Sequence, residues 1–487
     1  MSVDPPAVSP PSRPRRRWLR AVLWSGMVVL LAAAVTVAAS WYLGTSRLKQ
    51  ARAEADRLDP GWRWDDIQAS RRTIPDDKNS ALTVERVAAL LPGGWDAPLY
   101  NRLTPATEMD IGSPTAEERF QQLAPNEVPD AQILEAFRKV LDLTEDARRE
   151  AQKLADQPKG RLVLPPDFDY LNGPIPLLSE IRTVARLLGI AAQMRAAEGK
   201  YDEAIVLDRC LLHAGGAYGD EPLVICQLVR FAVDDLAVEH LQRVLGQGEA
   251  SPAELERLQR AYEDRLSEPA LLIALRGERA GMDRYDYMLN VPMPGGPPTA
   301  VRAVGLPGWN DSNCATVLEQ LTQAIEIARK PSSEQRREFA EWSLRIRRMH
   351  HSIVRRYLSM HALLVLPAVD KIASTEHRRL ATQGCVVLAL AAERYRLQHG
   401  RWPEQLDDLK PFVRSIPIDP YGQGFKMKRT ETGIVFYSVG PDDQDDGGKL
   451  GRKNPLQVGV DDGFALWDVD KRRQVVRPVA PAVEPMP

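Results

Sequence analysis

An acidic run near the C-terminus has the composition of a site for a hard metal cation. Residues 442–448 read DDQDDGG, so four carboxylates crowd together ahead of two flexible glycines. Like charges this close repel one another unless a cation neutralises them, and calcium accepts about six to eight oxygen ligands in irregular geometry. The EF-hand pattern is not satisfied, because the twelfth position counted from Asp443 is Asn454 instead of glutamate. The alternative interpretation is a solvated acidic loop.

A second polar cluster, within residues 276–286, contains carboxylates of the kind that acid–base enzymes use. A helix beginning at Leu271 would place Glu278 on one face and Arg279 and Asp283 on another. Salt bridges between helices would explain the same residues without any reaction. The sequence contains no Walker A, GxGxxG, GxSxG or HExxH motif. We therefore predict no catalytic and no cofactor-binding residues, and keep an envelope hydrolase at Glu278 as an alternative.

A histidine pair lies in a strongly basic segment. His350-His351 is flanked on both sides by arginine pairs, Arg347-Arg348 and Arg355-Arg356. This pattern is typical either of phosphate or lipid-headgroup binding or of a solvated helix face.

The overall composition excludes several classes of protein. The 487 residues exceed one ordinary domain, and a net charge of −2 gives no bulk attraction to nucleic acid. A mean hydropathy of −0.32 argues against a polytopic membrane protein. The cysteines form no CxxC motif. Cys210 and Cys226, on consecutive predicted helices, are either buried thiols or, outside the cytoplasm, a disulfide.

The N-terminal residues indicate a membrane anchor. Arginines at residues 13–20 precede a charge-free run over residues 21–43, which as a helix can cross a hydrocarbon core of ~30 Å. Aromatic residues flank both ends of the run, as in an interfacial belt. We expect a single pass through the inner (cytoplasmic) membrane, with the N-terminus cytoplasmic and the bulk periplasmic. A cleaved signal peptide, cut near residues 38–40, is the alternative.

Helical periodicity dominates the middle of the chain and predicts an irregular helical bundle. Residues 199–204 read GKYDEA and resemble the turn of a tetratricopeptide hairpin, although no second copy follows at a ~34-residue period. Ser251, Pro252 and Glu254 predict a capped helix start with a capping box.

Beyond residue 375 the pattern changes to a small α+β module. We predict a helix over residues 380–399, two strands over residues 425–429 and 434–439, and a third over residues 464–467. The predicted parts of the chain are a disordered basic tail (1–20), a transmembrane helix (21–43), a juxtamembrane helical and loop region (45–175), a helical domain (177–375) with a Pro/Gly-rich linker near 291–308, the α+β module (376–470) and a disordered tail (471–487).

Three motifs of this module resemble, in order, the globular domain of type II secretion major pseudopilins. They are AAERYRLQHGRWP at residues 391–403, DPYGQGF at 419–425 and FYSVGPDDQDDGG at 436–448. The resemblance covers residues 376–470 and implies a pseudopilin-like fold with a calcium ion held by the acidic loop. The rest of the chain resembles uncharacterised membrane-anchored proteins of planctomycete-type bacteria.

The resemblance also implies the ligands. Residues 440–442 match the G-x-D of the family, and its aspartate is a ligand. Asp445 or Asp446 from the loop, and Asp461 or Asp462 from the next segment, would complete the shell with backbone carbonyls. The predicted ligands of a structural calcium ion are Asp442, Asp445, Asp446 and Asp461.

The chain departs from pseudopilins at its N-terminus. No prepilin-peptidase site precedes the apolar run, so we do not expect it to polymerise as a pilin. We predict a non-enzymatic envelope protein whose helical scaffold and calcium-stabilised module bind other envelope proteins, without nucleic acid. The main alternative is an accessory component of a type II secretion or pilus-like machine.

Overall fold

The computed structural model describes residues 15–100, 114–165, 168–170, 173–290, 307–349, 360–451 and 459–475. The protein is mostly helical, at 69%, and carries one small antiparallel sheet of three strands in the described residues. The prediction of a mostly helical chain with a small C-terminal α+β region is therefore confirmed at that level.

The elements follow one another in chain order. The helices are α1 (Arg15–Leu58), α2 (Trp64–Ser70), α3 (Ser80–Ala89), α4 (Ala97–Tyr100), α5 (Ala116–Gln122), α6 (Ala131–Leu143), α7 (Glu145–Ala151), α8 (Leu178–Ala197), α9 (Tyr201–Gly215), α10 (Val224–Gln247), α11 (Pro252–Leu266), α12 (Ala270–Asn290), α13 (Trp309–Ala328), α14 (Ser332–Met349) and α15 (Met360–His399). The strands are β1 (Lys426–Arg429), β2 (Gly433–Ser438) and β3 (Asp462–Trp467).

Helix α1 has two halves with opposite surroundings. Its most apolar window has a mean hydropathy of 2.2 and is fully exposed, so the helix is long and apolar enough for a membrane span or a signal sequence. The C-terminal half instead buries Leu48, Ala51 and Ala55 in a cluster with Trp62 and Leu318. One unbroken helix therefore joins the apolar segment to the helical domain.

The junction between α1 and α13 depends on two glycines. A Cβ added at Gly44 would overlap the carbonyl oxygen of Gly308, so the two backbones meet where a side chain has no room. On the C-terminal side of this contact along α1, Thr45 Oγ1 donates to Asp311 at 2.7 Å, and Arg47 Nη2 lies 2.6 Å from Glu319 Oε2. Helix α13 thus runs alongside the buried half of α1.

The middle of the chain forms the predicted helical core. Helices α8 and α9 pack as a hairpin whose turn residue Gly199 has φ 80°, and Ala204 behind it is fully buried. Cys210 and Cys226 are buried free thiols. The predicted capping box is only half formed, because Ser251 Oγ accepts from the Glu254 amide while the Ser251 amide donates to Asp202 Oδ1 at 2.6 Å. The competing carboxylate comes from a distant helix start, which local spacing cannot reveal.

Helix α15 connects the helical domain to the sheet. It begins twenty residues before the predicted 380–399 helix, contains Pro367, and ends as expected before Gly400, whose φ is 72°. The sheet order is β1-β2-β3, with Ile434 opposite Leu466 and Phe436 opposite Phe464. These four sheet residues belong to the same hydrophobic core as the α15 segment 385–392.

The two predicted disordered tails each include ordered residues. Helix α1 already begins at Arg15, and residues 1–14 lie outside the described chain. At the other end the Gln474 amide donates to Asn126 O at 2.7 Å, and its carbonyl accepts from Val128 at 2.9 Å. Residues 476–487 and most of the predicted 291–308 linker lie outside the described residues.

Replacing Gly44 with valine should loosen the domain from α1. The added side chain would force the α1 and Gly308 backbones apart, at an overpacking cost of ~1–3 kcal/mol. Gly26→Val is the matched control, since a Cβ there meets nothing within 4 Å. Thermal unfolding of the full chain in detergent micelles measures both variants. Equal melting temperatures for the two variants would contradict the close approach.

Candidate metal site and buried charge network

The acidic loop lies between β2 and β3 and is wound tightly by residues of positive φ. Gly440, Gly447 and Gly448 have φ values of 74°, 69° and 79°. Asp443 also adopts the left-handed region, with φ 62°, and its carboxylate pairs with Arg336 of α14. The loop is therefore folded back on itself beside the helical domain.

Asp461 anchors this loop. Its Oδ1 accepts the Asp446 amide at 3.3 Å, and its Oδ2 accepts the Gly448 amide at 2.7 Å. Burial raises the pKa of Asp461, and although these amides oppose that effect, the charges of Asp445 and Asp446 add to it. A nearby cation would lower the pKa of Asp461, because it favours the ionised carboxylate in the same direction as the two amide hydrogen bonds.

Asp442 and Asp446 border the same part of the loop. Asp442 Oδ1 accepts the Gln444 amide at 3.1 Å, and its Oδ2 accepts the Gly459 amide at 3.5 Å. Asp446 Oδ2 is buried and has no hydrogen-bond partner among the described residues. A buried, unpartnered carboxylate oxygen costs free energy unless a donor or a cation satisfies it.

Asp445 points elsewhere. Its Oδ2 accepts from Lys426 Nζ at 2.6 Å and its Oδ1 from the Gly447 amide at 3.0 Å. The Lys426 hydrogen bond lowers the pKa of this exposed carboxylate. The lysine on β1 thus supplies the positive charge that a cation would otherwise provide for Asp445.

Strand alternation separates Asp461 from Asp462. Neighbouring side chains of an extended segment point to opposite faces, and Asp462, the first residue of β3, is directed toward Tyr421, whose Oη donates to its Oδ2 at 3.3 Å. Burial raises the pKa of Asp462 to about 7. Of the two residues left open by the sequence, Asp461 is the one beside the acidic loop.

The described residues contain no group of three or more His, Cys, Asp or Glu side chains already arranged around a metal position. The oxygens that fit calcium best are those of Asp446, Asp461 and Asp442, together with nearby carbonyls, because Asp445 is held by Lys426. Residues 452–458, between the loop and Asp461, lie outside the described chain. The calcium site therefore stays a prediction.

The second polar cluster has its side chains directed to different partners. Glu278 accepts from Tyr170 Oη, Arg279 pairs with Asp59, and Asp283 Oδ1 lies 2.7 Å from Arg52 Nε. Burial raises the pKa of Glu278, against the opposing Tyr170 hydrogen bond. These contacts tie α12 to α1 and to the loop of Tyr170. Arg279 and Asp283 fit the salt-bridge interpretation of the sequence, whereas Glu278 is a buried carboxyl group held by a tyrosine hydroxyl.

Sequence reasoning missed a network of buried charges along α15. Arg379 donates through Nε to Glu376 Oε2 at 2.6 Å and through Nη1 to Gln383 Oε1 at 2.7 Å. Its Nη1 also lies 3.4 Å from Asp234 Oδ2 of α10. All four side chains are buried. The spacing of Glu376, Arg379 and Gln383 places them on one helical face, the only signal of this network in the sequence.

A second buried pair joins the segment after β3 to α15. Arg472 Nη2 lies 2.9 Å from Glu393 Oε2, and Arg396 Nη2 lies 2.7 Å from Glu393 Oε1. Burial alone would raise the pKa of Glu393, but the hydrogen bonds from Arg396 and Arg472 outweigh it and hold the pKa below its ordinary value. Arg472 also donates to Gly248 O at 2.8 Å, so one guanidinium contacts α15 and the end of α10.

Comparisons of the chain with models of protein families, with curated proteins and with solved structures found no match.

Calcium should stabilise the full chain through the acidic loop. A concentration about 100 times the dissociation constant should add ~2.7 kcal/mol to the free energy of unfolding. Asp446→Asn should remove most of this gain, because its Oδ2 is the buried oxygen without a partner. Asp443→Asn is the control, since that carboxylate already pairs with Arg336. A wild-type melting temperature that is independent of calcium would reject the site.

Arg472→Met should destabilise the contact between the sheet and α15. The substitution leaves Glu393 buried with Arg396 as its remaining partner, so we expect a loss of about 3 kcal/mol, the lower end for a broken buried pair. Arg429→Met removes an exposed pair with Asp468 and should cost under about 1 kcal/mol. Chemical denaturation of the full chain measures both, and similar losses would contradict the argument.

The same pair predicts an acid dependence. Because the folded-state pKa of Glu393 is lowered, its contribution is present above the ordinary pKa of 4.5 and is lost as pH falls below that value. The wild type should therefore lose more stability than Arg472→Met on acidification through this range.

Proposed function

We propose that the chain is a single-span, membrane-anchored envelope protein whose helical domain and pseudopilin-like module form a non-enzymatic scaffold for other envelope proteins. The observation that carries this proposal is the continuity of α1. Its exposed apolar half is long and apolar enough to cross a bilayer, and its other half is part of the core of the domain.

The apolar half supports an anchor because its large side chains face outward on every side. Leu23, Leu30 and Leu31 are 70%, 71% and 65% exposed, and Trp24 and Trp41 are 64% and 58% exposed. An apolar surface of this extent is unfavourable in water and favourable in a bilayer. The orientation with the bulk outside the cytoplasm follows from the arginines that precede the run.

A scaffold role is supported by how the charged residues are used. Glu278, Arg279 and Asp283 bind neighbouring elements, and the buried Glu376, Arg379 and Asp234 bind one another. The ion pairs of Arg279, Asp283 and Arg379 hold neighbouring elements together. The proposed calcium ion would act in the same way, by tying the acidic loop to β3.

Capture of partners from solubilised membranes tests the interaction role. A tagged full chain should retain a defined set of envelope proteins, and Gly44→Val should retain fewer if domain position matters. Recovery of a secretion channel and its ATPase would favour the accessory-component alternative. Hydrolytic turnover by the purified chain that Glu278→Gln abolishes would overturn the non-enzymatic role.

Two arginines placed in the apolar half of α1 should release the chain from the membrane. Each arginine near the centre of a span costs ~2.5–3.5 kcal/mol of insertion, so Leu30→Arg with Leu31→Arg should move the protein to the soluble fraction. Val163→Arg, at a residue 81% exposed in the domain, is the control and should remain membrane-bound. Alkaline extraction of membranes followed by immunoblotting measures the distribution.

The mass of the membrane-bound chain distinguishes an anchor from a signal peptide. An uncleaved N-terminus is expected, and digestion of the domain by protease added to spheroplasts is expected with it. A mature chain beginning near residue 40 would contradict the anchor, and full protection of the domain would contradict the orientation.

A further inference from the structure

The end of the helical domain nearest the apolar half of α1 can be located from contacts. The backbone of Gly308, directly before α13, meets Ser40 and Trp41 of α1. At the other end of α13, Arg329 Nη1 donates to Leu58 O at 3.0 Å. Helix α13 therefore begins at the level where α1 leaves its apolar half and runs away from it.

Helix α14 returns toward that level. At its start Gln335 donates to Ala328 O at 3.1 Å, at the distal end of α13. Further along, Arg345 lines the same cleft as Glu319, which pairs with Arg47 of α1. Ile346, near the end of α14, is buried in the same cluster as Val317 and Leu321 of α13. The last residues of α14 therefore lie nearer than its start to the end of the domain that Gly44 marks.

These last residues form an exposed basic surface, the α14 basic end, which consists of Arg345, Arg347 and Arg348. All three side chains are exposed. In the described part of the chain Arg345 and Arg348 have no ion pair, and Arg347, whose side chain is 72% exposed, lies 3.8 Å from Asp370. His350-His351 and Arg355-Arg356 of the sequence motif lie outside the described residues.

We propose that the α14 basic end binds anionic phospholipid headgroups of the bilayer that holds α1. This inference rests on the proposed membrane anchor. A guanidinium matches the phosphate group of a lipid by paired hydrogen bonds. The anchor holds the three arginines near the surface, within reach of a screened attraction that extends ~10 Å at moderate salt. The contact would attach the domain to the membrane at the end of α14, in addition to its attachment through α1.

Fluorescence quenching from the lipid surface tests this contact in the full chain. Leu344→Cys, at a residue 51% exposed and directly before the α14 basic end, carries a small fluorophore, while the native cysteines are buried. Ile418→Cys is the control label. Ile418 is 65% exposed and lines the same cleft as Lys330, at the end of the bundle away from the apolar half of α1. The chain is placed in lipid discs containing headgroup spin labels, made of phosphatidylcholine alone or mixed equally with phosphatidylglycerol.

In the mixed discs we expect severalfold stronger quenching at residue 344 than at residue 418. Changing the three arginines of the α14 basic end together to glutamine should reduce it to the value seen at residue 344 in phosphatidylcholine discs, as should ~1 M salt, where the screening length is ~3 Å. The charge-matched control changes Arg257, Arg401 and Arg429, which are exposed elsewhere, and should leave quenching unchanged.

Three results would overturn the inference, and the first is distinguishable from the other two. A chain that does not co-elute with the discs would overturn the membrane anchor and this inference together. A chain that co-elutes, but whose quenching at residue 344 equals that at residue 418 or is unaffected by the glutamine changes, would overturn the lipid contact alone. Quenching that is equal in neutral and anionic discs would likewise exclude binding to anionic headgroups.

Discussion

The packing of the molecule depends on the neutralisation of charges buried along α15. This helix contacts α10, α11, α13 and α14 as well as β2 and β3, so Glu376, Arg379 and Glu393 on it are buried away from water. Glu376 and Arg379 satisfy each other with Asp234 of α10, and Glu393 is satisfied by Arg396 and Arg472. An isolated buried charge would cost several kcal/mol, so these partners must assemble together or not at all.

This requirement explains why the sheet and the helical bundle share one core. Arg472 reaches Glu393 only when the chain after β3 lies against α15, and the same guanidinium contacts Gly248 beyond α10. The apolar residues of the sheet then join the core that includes α8 and α9. Buried charges of this kind define which surfaces meet, whereas apolar contacts alone would allow several arrangements.

Much of this architecture was predictable because it follows from local patterns. Residues close together in the sequence determine the charge-free run of α1, the strands of the sheet and the end of α15 at Gly400. The features that the sequence did not predict are contacts between residues far apart in the chain. Examples are the hydrogen bond from the Ser251 amide to Asp202 and the ion pair between Arg472 and Glu393. In the acidic loop, the composition predicted that the carboxylates are crowded. The hydrogen bond from Lys426 to Asp445 was not predictable, because it depends on how β1 pairs with β2.

The glycine contact between α1 and Gly308 couples the orientation of the domain to that of the apolar half of α1. Since the helix continues without a break into the core, the domain cannot pivot independently of the apolar half. A span longer than the local hydrocarbon thickness accommodates by tilting. In the proposed anchored state, membrane thickness would set the angle at which the sheet faces its surroundings, so that two bilayers of different lipid composition would present different surfaces of the same protein to a partner.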